Sequence, residues 1–354
     1  MKGKLLQLFP VEKRTFWQAV DVEEDKLQEI RLRADKPVIL IVNGEERFLN
    51  DRGLLQTTKK NAYCVVRTEV EEILNHICHY SLYAYEDELR QGFLAVEGGH
   101  RVGVTGQVVQ EQDGSIRTIK NITCLNIRIA HQMKGVADKL LPYLYQRKEP
   151  QNVLIISPPG CGKTTLLRDI IRQLSDGNAY GNGVSVGVVD ERSEIAGSYQ
   201  GIPQNDVGIR TDVLDACPKK QGMMMLLRSM SPKVIAIDEL GGIEDMEALR
   251  MAAFCGVKLL ATIHGTDLKD VEGRGFWENG RIEDFFDLFL ILSRENNKPV
   301  IQQIIKKEEA YASLAGNHIH YDGLSGNGAM VQAAIPAEVE MPAYLTRDIG
   351  ASYE

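Results

Sequence analysis

Residues 153–165 run Val-Leu-Ile-Ile-Ser-Pro-Pro-Gly-Cys-Gly-Lys-Thr-Thr. An apolar run of strand length gives way to a Gly/Pro loop, and Lys163-Thr164 opens a stretch with helical spacing. In that order a strand feeds a glycine turn. The backbone N–H groups of the turn and the N-terminus of the next helix form a cradle for phosphate. The reading is a P-loop. Pro159, Gly160, Cys161, Gly162, Lys163, Thr164 and Thr165 are its expected nucleotide-binding residues. Lys163 is expected to reach the β- and γ-phosphates of ATP, and the Thr164 hydroxyl to bind Mg2+. The strict pattern has Gly five residues ahead of the Gly-Lys pair; Ser157 stands there instead. A glycine turn with an incidental lysine is the bland alternative. The strand before and the amphipathic helix after argue against it.

Downstream of Val153 the pattern alternates between strands and helices, as a parallel α/β sheet requires. Strand Val153–Ser157 leads into helix Lys163–Leu174. Strands Val184–Asp190 and Val234–Ile237, helix Glu244–Cys255 and strand Lys258–Thr262 follow. Phe289–Leu292 and Val300–Ile305 suggest a terminal hairpin around Asn296-Asn297. Upstream, the chain reads as α+β. Glu29–Arg33 and Val38–Val42 are short strands with an Asn43-Gly44 turn, and Val70, Ile73, Leu74 and Ile77 recur at helical spacing. Gly92–Val109 and Ile116–Ile129 fit a hairpin around Asp113-Gly114, and Val136–Leu144 a further helix. The charged stretch Gln146–Pro150 reads as a linker. The expected organisation is an N-terminal α+β domain over residues 1–145, a P-loop ATPase domain over 146–310, and a Gly-, Ala- and Pro-rich tail over 311–354.

Composition bounds the function. With 354 residues, 44% apolar and 25% charged, the chain is an ordinary globular protein large enough for two cores. No apolar run approaches the ~20 residues of a membrane span, and the N-terminus carries no secretory h-region. Any membrane association is expected through a partner. The six cysteines lack CxxC spacing, which favours a reduced, cytoplasmic chain over a zinc or disulfide framework. His76, Cys78 and His79 lie together without further nearby ligands, so an ordinary helix surface is expected there. The net charge of −8 and 6% aromatic content argue against nucleic-acid binding, which wants a basic groove with stacking platforms.

Two more strands end in chemistry. Val234-Ile235-Ala236-Ile237-Asp238-Glu239 is apolar up to two carboxylates, placed where α/β sheets bind ligands. Asp238 suits the Mg2+ shell, and Glu239 suits the base that orients or deprotonates the attacking water. In Leu259-Leu260-Ala261-Thr262-Ile263-His264-Gly265, Thr262 and His264 fall where a γ-phosphate sensor sits. A third acidic strand end, Val188-Val189-Asp190-Glu191-Arg192-Ser193-Glu194, offers Asp190, Glu191 and Glu194 to polarise water or hold the metal shell. A solvated charged turn is the alternative there.

The order of these motifs resembles the hexameric ATPases of type II/IV secretion and pilus retraction. The stretch Asp238–His264 carries much of that likeness, with Glu247, Ala252-Ala253-Phe254-Cys255-Gly256 and Ala261-Thr262-Ile263-His264. More narrowly, the chain resembles the stage III sporulation protein AA family of endospore-forming bacteria. The residues are Ser157–Thr165, Val189–Ile195, Ile237-Asp238-Glu239, Glu29-Ile30-Arg31-Leu32-Arg33 and Gly103-Val104-Thr105-Gly106. The resemblance implies a RecA-like P-loop NTPase motor that forms a ring, a hexamer, with nucleotide between motor and N-terminal domain. It implies a cytoplasmic protein on the mother-cell side, peripheral to the membrane through an integral-membrane partner of the same sporulation operon. That partner belongs to a channel joining mother cell and forespore. Ring ATPases also supply an arginine across a subunit boundary or from the N-terminal domain, and Arg101, Arg128 and Arg210 sit in family-like stretches. Secretion ATPases place Gly before the Walker B Glu; Asp238 stands there, which suggests a distinct branch. The rival readings are a nucleic-acid-dependent RecA-like ATPase and a non-hydrolysing nucleotide switch.

Overall fold

The computed structural model describes residue 1 and residues 3–274, 281–295 and 298–315. The chain forms two compact units, Met1–Gln132 with Gly197–Asn205, and Met133–Ala196 with Asp206 onward. The division falls ahead of the boundary expected at 145/146. The stretch expected as a linker lies inside the second unit, where Tyr145–Gln146 and Glu149–Pro150 pair as a ribbon. Arg147 and Lys148 turn it at φ +52° and +68°, the left-handed pair a tight hairpin needs. Tyr145 and Pro150 are buried and tie the ribbon down.

The first unit is built on an antiparallel sheet of β1 (Leu27–Arg33), β2 (Ile39–Val42), β3 (Glu45–Leu49), β4 (Leu55–Gln56), β5 (Phe93–Ala95), β6 (Arg101–Gln110) and β7 (Ile116–Arg128), in the order β4-β3-β2-β1-β7-β6-β5. Asn43 and Gly44 take φ +49° and +76° between β2 and β3. Helices α1 (Val11–Gln18) and α2 (Arg67–Ile77) accompany it. The apolar spacing in α2 does what its period predicts: Val70, Ile73, Leu74 and Ile77 are all buried. Glu69 starts that helix by accepting the Val66 N–H at 3.1 Å, and it also pairs with Lys13 and Tyr63. Gly197–Asn205 is stitched into this unit, with Tyr199 hydrogen-bonded to His79 at 2.8 Å and the Gln204 side chain accepting from Gly98 N–H at 3.0 Å. Nothing in the local sequence of that segment announces its place.

The second unit holds β8 (Val153–Ser157), β9 (Val186–Asp190), β10 (Thr211–Asp215), β11 (Val234–Ile237), β12 (Lys258–His264), β13 (Leu288–Glu295) and β14 (Lys298–Lys306). Their order is β10-β9-β11-β12-β8-β13-β14, parallel except for the antiparallel β13–β14 pair. The hairpin expected from the sequence is therefore present; its Asn296-Asn297 turn lies outside the described residues. Strand β10 and helix α4 (Lys219–Ser229) have no counterpart in the sequence reading. β10 is half-buried along its length and borders the sheet, so its apolar signal is weak.

Every residue of β8, β9 and β11 is buried, which is why they read as unbroken apolar runs. Alternate side chains serve two cores. Val153, Ile155, Val188 and Ala236 pack with Leu166, Leu167, Ile170 and Ile171 of α3 (Lys163–Asp176). Leu154, Ile156, Val189 and Ile237 pack with α4 and with Met246, Leu249 and Ala252 of α5 (Ile243–Phe254). Each fully buried Leu or Ile contributes about 1.5–3 kcal/mol of transfer energy, so the two faces hold the strand ends rigidly. Helix α6 (Leu268–Glu272) follows β12, and α7 (Lys307–Ala315) follows β14. Helix α7 runs across the expected 310/311 boundary. The rest of the expected tail, residues 316–354, lies outside the described residues. Among the described residues no helix is long and apolar enough to cross a membrane.

Candidate functional site

The site is built at the C-terminal ends of β8, β11 and β12. The strand ahead of the glycine turn and the acid-ended strand are not neighbours in the sheet. Instead β12 lies between them, and Ser157 of β8 stands in register with His264 of β12. This explains the departure at position 157. Ser157 is the last residue of an extended, fully buried strand, where no left-handed conformation is required. The need for glycine begins later, at Gly160 with φ +70°; Gly162, at φ +78°, sits at the N-cap of α3, and its carbonyl accepts the Leu166 N–H at 2.9 Å. Lys163, Thr164 and Thr165 form the first turn of that helix, with Lys163 only 8% exposed. Cys161 is buried, and burial pushes its thiol up from the ordinary value.

From this base the side chains converge. Lys163 Nζ donates to Glu239 Oε1 at 3.1 Å, and His264 Nε2 meets the same oxygen at 2.9 Å. A carboxylate only accepts, so Nε2 carries the proton. Lys163 Nζ and His264 Nε2 are 3.4 Å apart. Thr164 Oγ1 donates to Asp238 Oδ2 at 2.7 Å, and Asp238 Oδ1 accepts from the Thr262 hydroxyl. The same hydroxyl oxygen accepts the Glu239 N–H at 2.9 Å. Glu239 holds φ +55°, a left-handed backbone that costs a non-glycine residue about 1–3 kcal/mol and tends to occur where geometry is functional. Burial alone would raise its carboxyl, but Lys163, Arg192 and His264 outweigh burial and hold it below the usual carboxylate range.

The structure thus brings Lys163, Thr164, Asp238, Glu239, Thr262 and His264 into one cluster. The remaining expected residues sit elsewhere. Glu191 pairs with Lys219 at the start of α4. Arg101 and Arg128 are cross-strand partners on β6 and β7 of the first unit, Arg101 lying 5.0 Å from the centre of the Phe93 ring. Arg210 donates to Ser175 O at 2.8 Å, at the C-terminal end of α3. That is the far end of a fourteen-residue helix from Lys163, roughly 20 Å away at 1.5 Å per residue. A guanidinium there satisfies orphan carbonyls at the negative end of the helix, a structural task within its own subunit. Among the described residues no group of three His, Cys, Asp or Glu residues is arranged to hold a metal ion by itself; His76 instead lies 3.0 Å from Gln7 O.

Arg192 was missed as a site residue. In the sequence it stands inside an acidic turn, yet its Nη1 lies 2.5 Å from Glu239 Oε2. Arg168 was missed too. Buried in α3, it donates to Ile195 O at 2.5 Å and Glu194 O at 2.6 Å. Asp190 is likewise a loop-builder: buried, it accepts the N–H groups of Glu194 and Ala196, each at 2.8 Å. Burial pushes its carboxyl up, against those donors. Arg294 of β13 donates to Gly160 O at 2.9 Å and braces the P-loop. The signal for Arg168 lay in the helical spacing of a charge on the buried face of α3; Arg192 gave no local signal.

The donor set fits Mg2+ and a triphosphate. The glycine turn and the α3 N-terminus offer backbone N–H groups to anions. A hydroxyl and a carboxylate joined at 2.7 Å are hard oxygen ligands of the kind that hold Mg2+ directly or through water.

The family model described as "Sporulation stage III, protein AA" matches residues 1–311. The chain is 43% identical over 283 residues to stage III sporulation protein AA of Bacillus subtilis (strain 168), covering 80% of this chain and 88% of that one. Among solved structures, the Legionella pneumophila ATPase DotB matches with TM-score 0.56 and 17% identity over 87% of this chain and 85% of its own. The pilus retraction motor PilT with bound ADP matches with TM-score 0.54 and 15% identity over 88% and 87%. At those identities the likeness is one of fold alone, the α/β fold that these solved ATPases have, with an N-terminal α+β domain.

Proposed function

This chain belongs to the sporulation stage III, protein AA family, and on that premise we propose that it is a Mg2+-dependent ATPase motor. The observation that carries the reading is the meeting of Lys163, His264 and Glu239 at one carboxylate oxygen, beside the joined Thr164 and Asp238. Pro159–Thr165 would hold the phosphates of ATP, with Lys163 turning from Glu239 to the β/γ-phosphates. Thr164 and Asp238 would hold Mg2+, which when bound neutralises charge on the phosphate oxygens. Glu239 orients the attacking water and takes its proton, and His264 senses the γ-phosphate.

At the level of the cell, the reading is a ring, a hexamer, with an arginine such as Arg101 or Arg128 supplied from another domain or subunit. Glu191 would assist at the rim of the site. The motor would be cytoplasmic, on the mother-cell side, and would drive a secretion-like channel to the forespore through an integral-membrane partner. Family membership supports the sporulation setting, and the fold supports a motor.

The test is ATP binding and phosphate release by the purified chain with Mg2+, beside Lys163→Ala. Turnover that disappears with Lys163→Ala supports the reading. Full activity in that variant removes the P-loop assignment.

A further inference from the structure

We propose that Arg192 is a positioning residue for Glu239: it anchors Oε2 so that Oε1 faces the phosphate side of the site. The inference rests on the ATPase reading above and goes beyond it, since neither the motifs nor the family likeness assigned this residue a task.

The argument starts from the two ends of the carboxylate. Oε1 is shared by Lys163 and His264. Oε2 is met by Arg192 at 2.5 Å. Lys163 is the cation that a triphosphate must recruit, so its hold on Oε1 is temporary. Arg192 holds the other oxygen of the same carboxylate. When Lys163 leaves, Glu239 keeps a fixed orientation only if something holds the other oxygen. A free carboxylate would rotate about its terminal torsion, which is broad and soft.

Arg192 itself stands on a rigid base. Asp190, 2% exposed, receives the Glu194 and Ala196 N–H groups. Arg168 grips the carbonyls of Glu194 and Ile195. Ser193, at φ +53°, bonds through its hydroxyl to Asp215 Oδ1 at 2.6 Å. The turn that carries Arg192 is therefore tied to α3 and to β10. Glu239 is tied as firmly on its own side, through its N–H to Thr262. An arginine side chain projecting 64% exposed from so constrained a turn reaches the carboxylate from solvent and does not support the core. Its removal is thus expected to leave the fold intact.

The experiment is a double-mutant cycle. Wild type, Arg192→Ala, Arg192→Lys, Glu239→Gln and the Arg192→Ala/Glu239→Gln pair are compared for ATP turnover and for ATP binding with Mg2+. Arg192→Ala is expected to lower kcat about tenfold or more, with KM and the binding constant within twofold of wild type. Arg192→Lys is expected to recover part of the loss. In the Glu239→Gln background, Arg192→Ala is expected to cost nothing further, because its effect runs through Glu239.

An equal cost of Arg192→Ala in both backgrounds overturns the assignment, as does weakened binding with unchanged kcat. Either result would mean that Arg192 touches the nucleotide or only braces the turn. A wild type without turnover, or a Glu239→Gln variant that turns over normally, overturns the ATPase reading and this inference with it. An intact Glu239→Gln defect alongside an additive Arg192→Ala cost overturns the inference alone.

Discussion

Replacing Glu239 by Gln should tighten ATP binding while stopping turnover, and the two effects have separate structural causes. In the structure Lys163 is spoken for: its ammonium lies 3.1 Å from Glu239 Oε1, with side-chain exposures of 10% and 18%. ATP must draw it away. Two unit charges at that distance attract by about 5 kcal/mol at an effective dielectric near 20. Hydration regained on separation offsets most of this. What remains for a partly buried pair is about 1–2 kcal/mol, a factor of about five to thirty in a dissociation constant. A glutamine amide keeps the shape and at most a neutral hydrogen bond, so Lys163 is released. The same change removes a negative charge facing the phosphates. Mg-ATP affinity is therefore expected to rise about tenfold, read by calorimetry or a fluorescent ATP analogue. Loss of the proposed base is expected to lower phosphate release by about 10²–10⁴-fold. Unchanged or weaker ATP binding in Glu239→Gln would refute the idea that the Lys163–Glu239 pair restrains the empty site.

Other perturbations probe the scaffold. Asp169 is 1% exposed and accepts from Ala137 N–H at 2.9 Å and from Arg172 Nη2 at 2.7 Å. Asp169→Ala strands both donors and is expected to destabilise the second unit by about 3–5 kcal/mol; a urea-unfolding loss under 1 kcal/mol would contradict that account. In the first unit, burial pulls His100 down to about 4 from its ordinary 6.5, helped by His131 and Lys4. The folded unit thus resists a proton that the unfolded chain accepts. His100 contributes stability above pH 6.5 that drains away as pH falls toward 4, about 3 kcal/mol in all. Denaturant midpoints of wild type and His100→Gln between pH 7 and 4 should converge with falling pH; parallel curves would dismiss the assignment.

Much of the site was legible because its residues are placed by local rules. A buried parallel strand shows as an apolar run, and its C-terminal end opens where ligands bind. Reading Val153–Ser157, Val234–Ile237 and Lys258–Thr262 that way was enough to pick Lys163, Thr164, Asp238, Glu239 and His264. The strands came out nearly as printed in the chain, and so did the Asn43-Gly44 hairpin and helix Arg67–Ile77. What failed was long-range. Strand Thr211–Asp215 is half-buried, so period and hydrophobicity carry little. The tie of Gly197–Asn205 to the first unit depends on Tyr199 meeting His79 and Gln204 meeting Gly98, pairings between residues distant in the chain.

The amino-acid order alone determined that a glycine turn with a lysine, two carboxylates and a histidine each end a buried strand, since backbone periodicity and glycine conformation act over a few residues. Only the tertiary structure decided the sequence of those strands across the sheet, with Lys258–His264 between the other two. It alone set which charges meet: Arg192 came to Glu239, and Arg210 went to the end of α3 remote from Lys163. Those pairings are chosen by packing two cores against one sheet and by satisfying buried carbonyls and carboxylates. That choice belongs to the whole fold, because no short stretch of chain contains both partners.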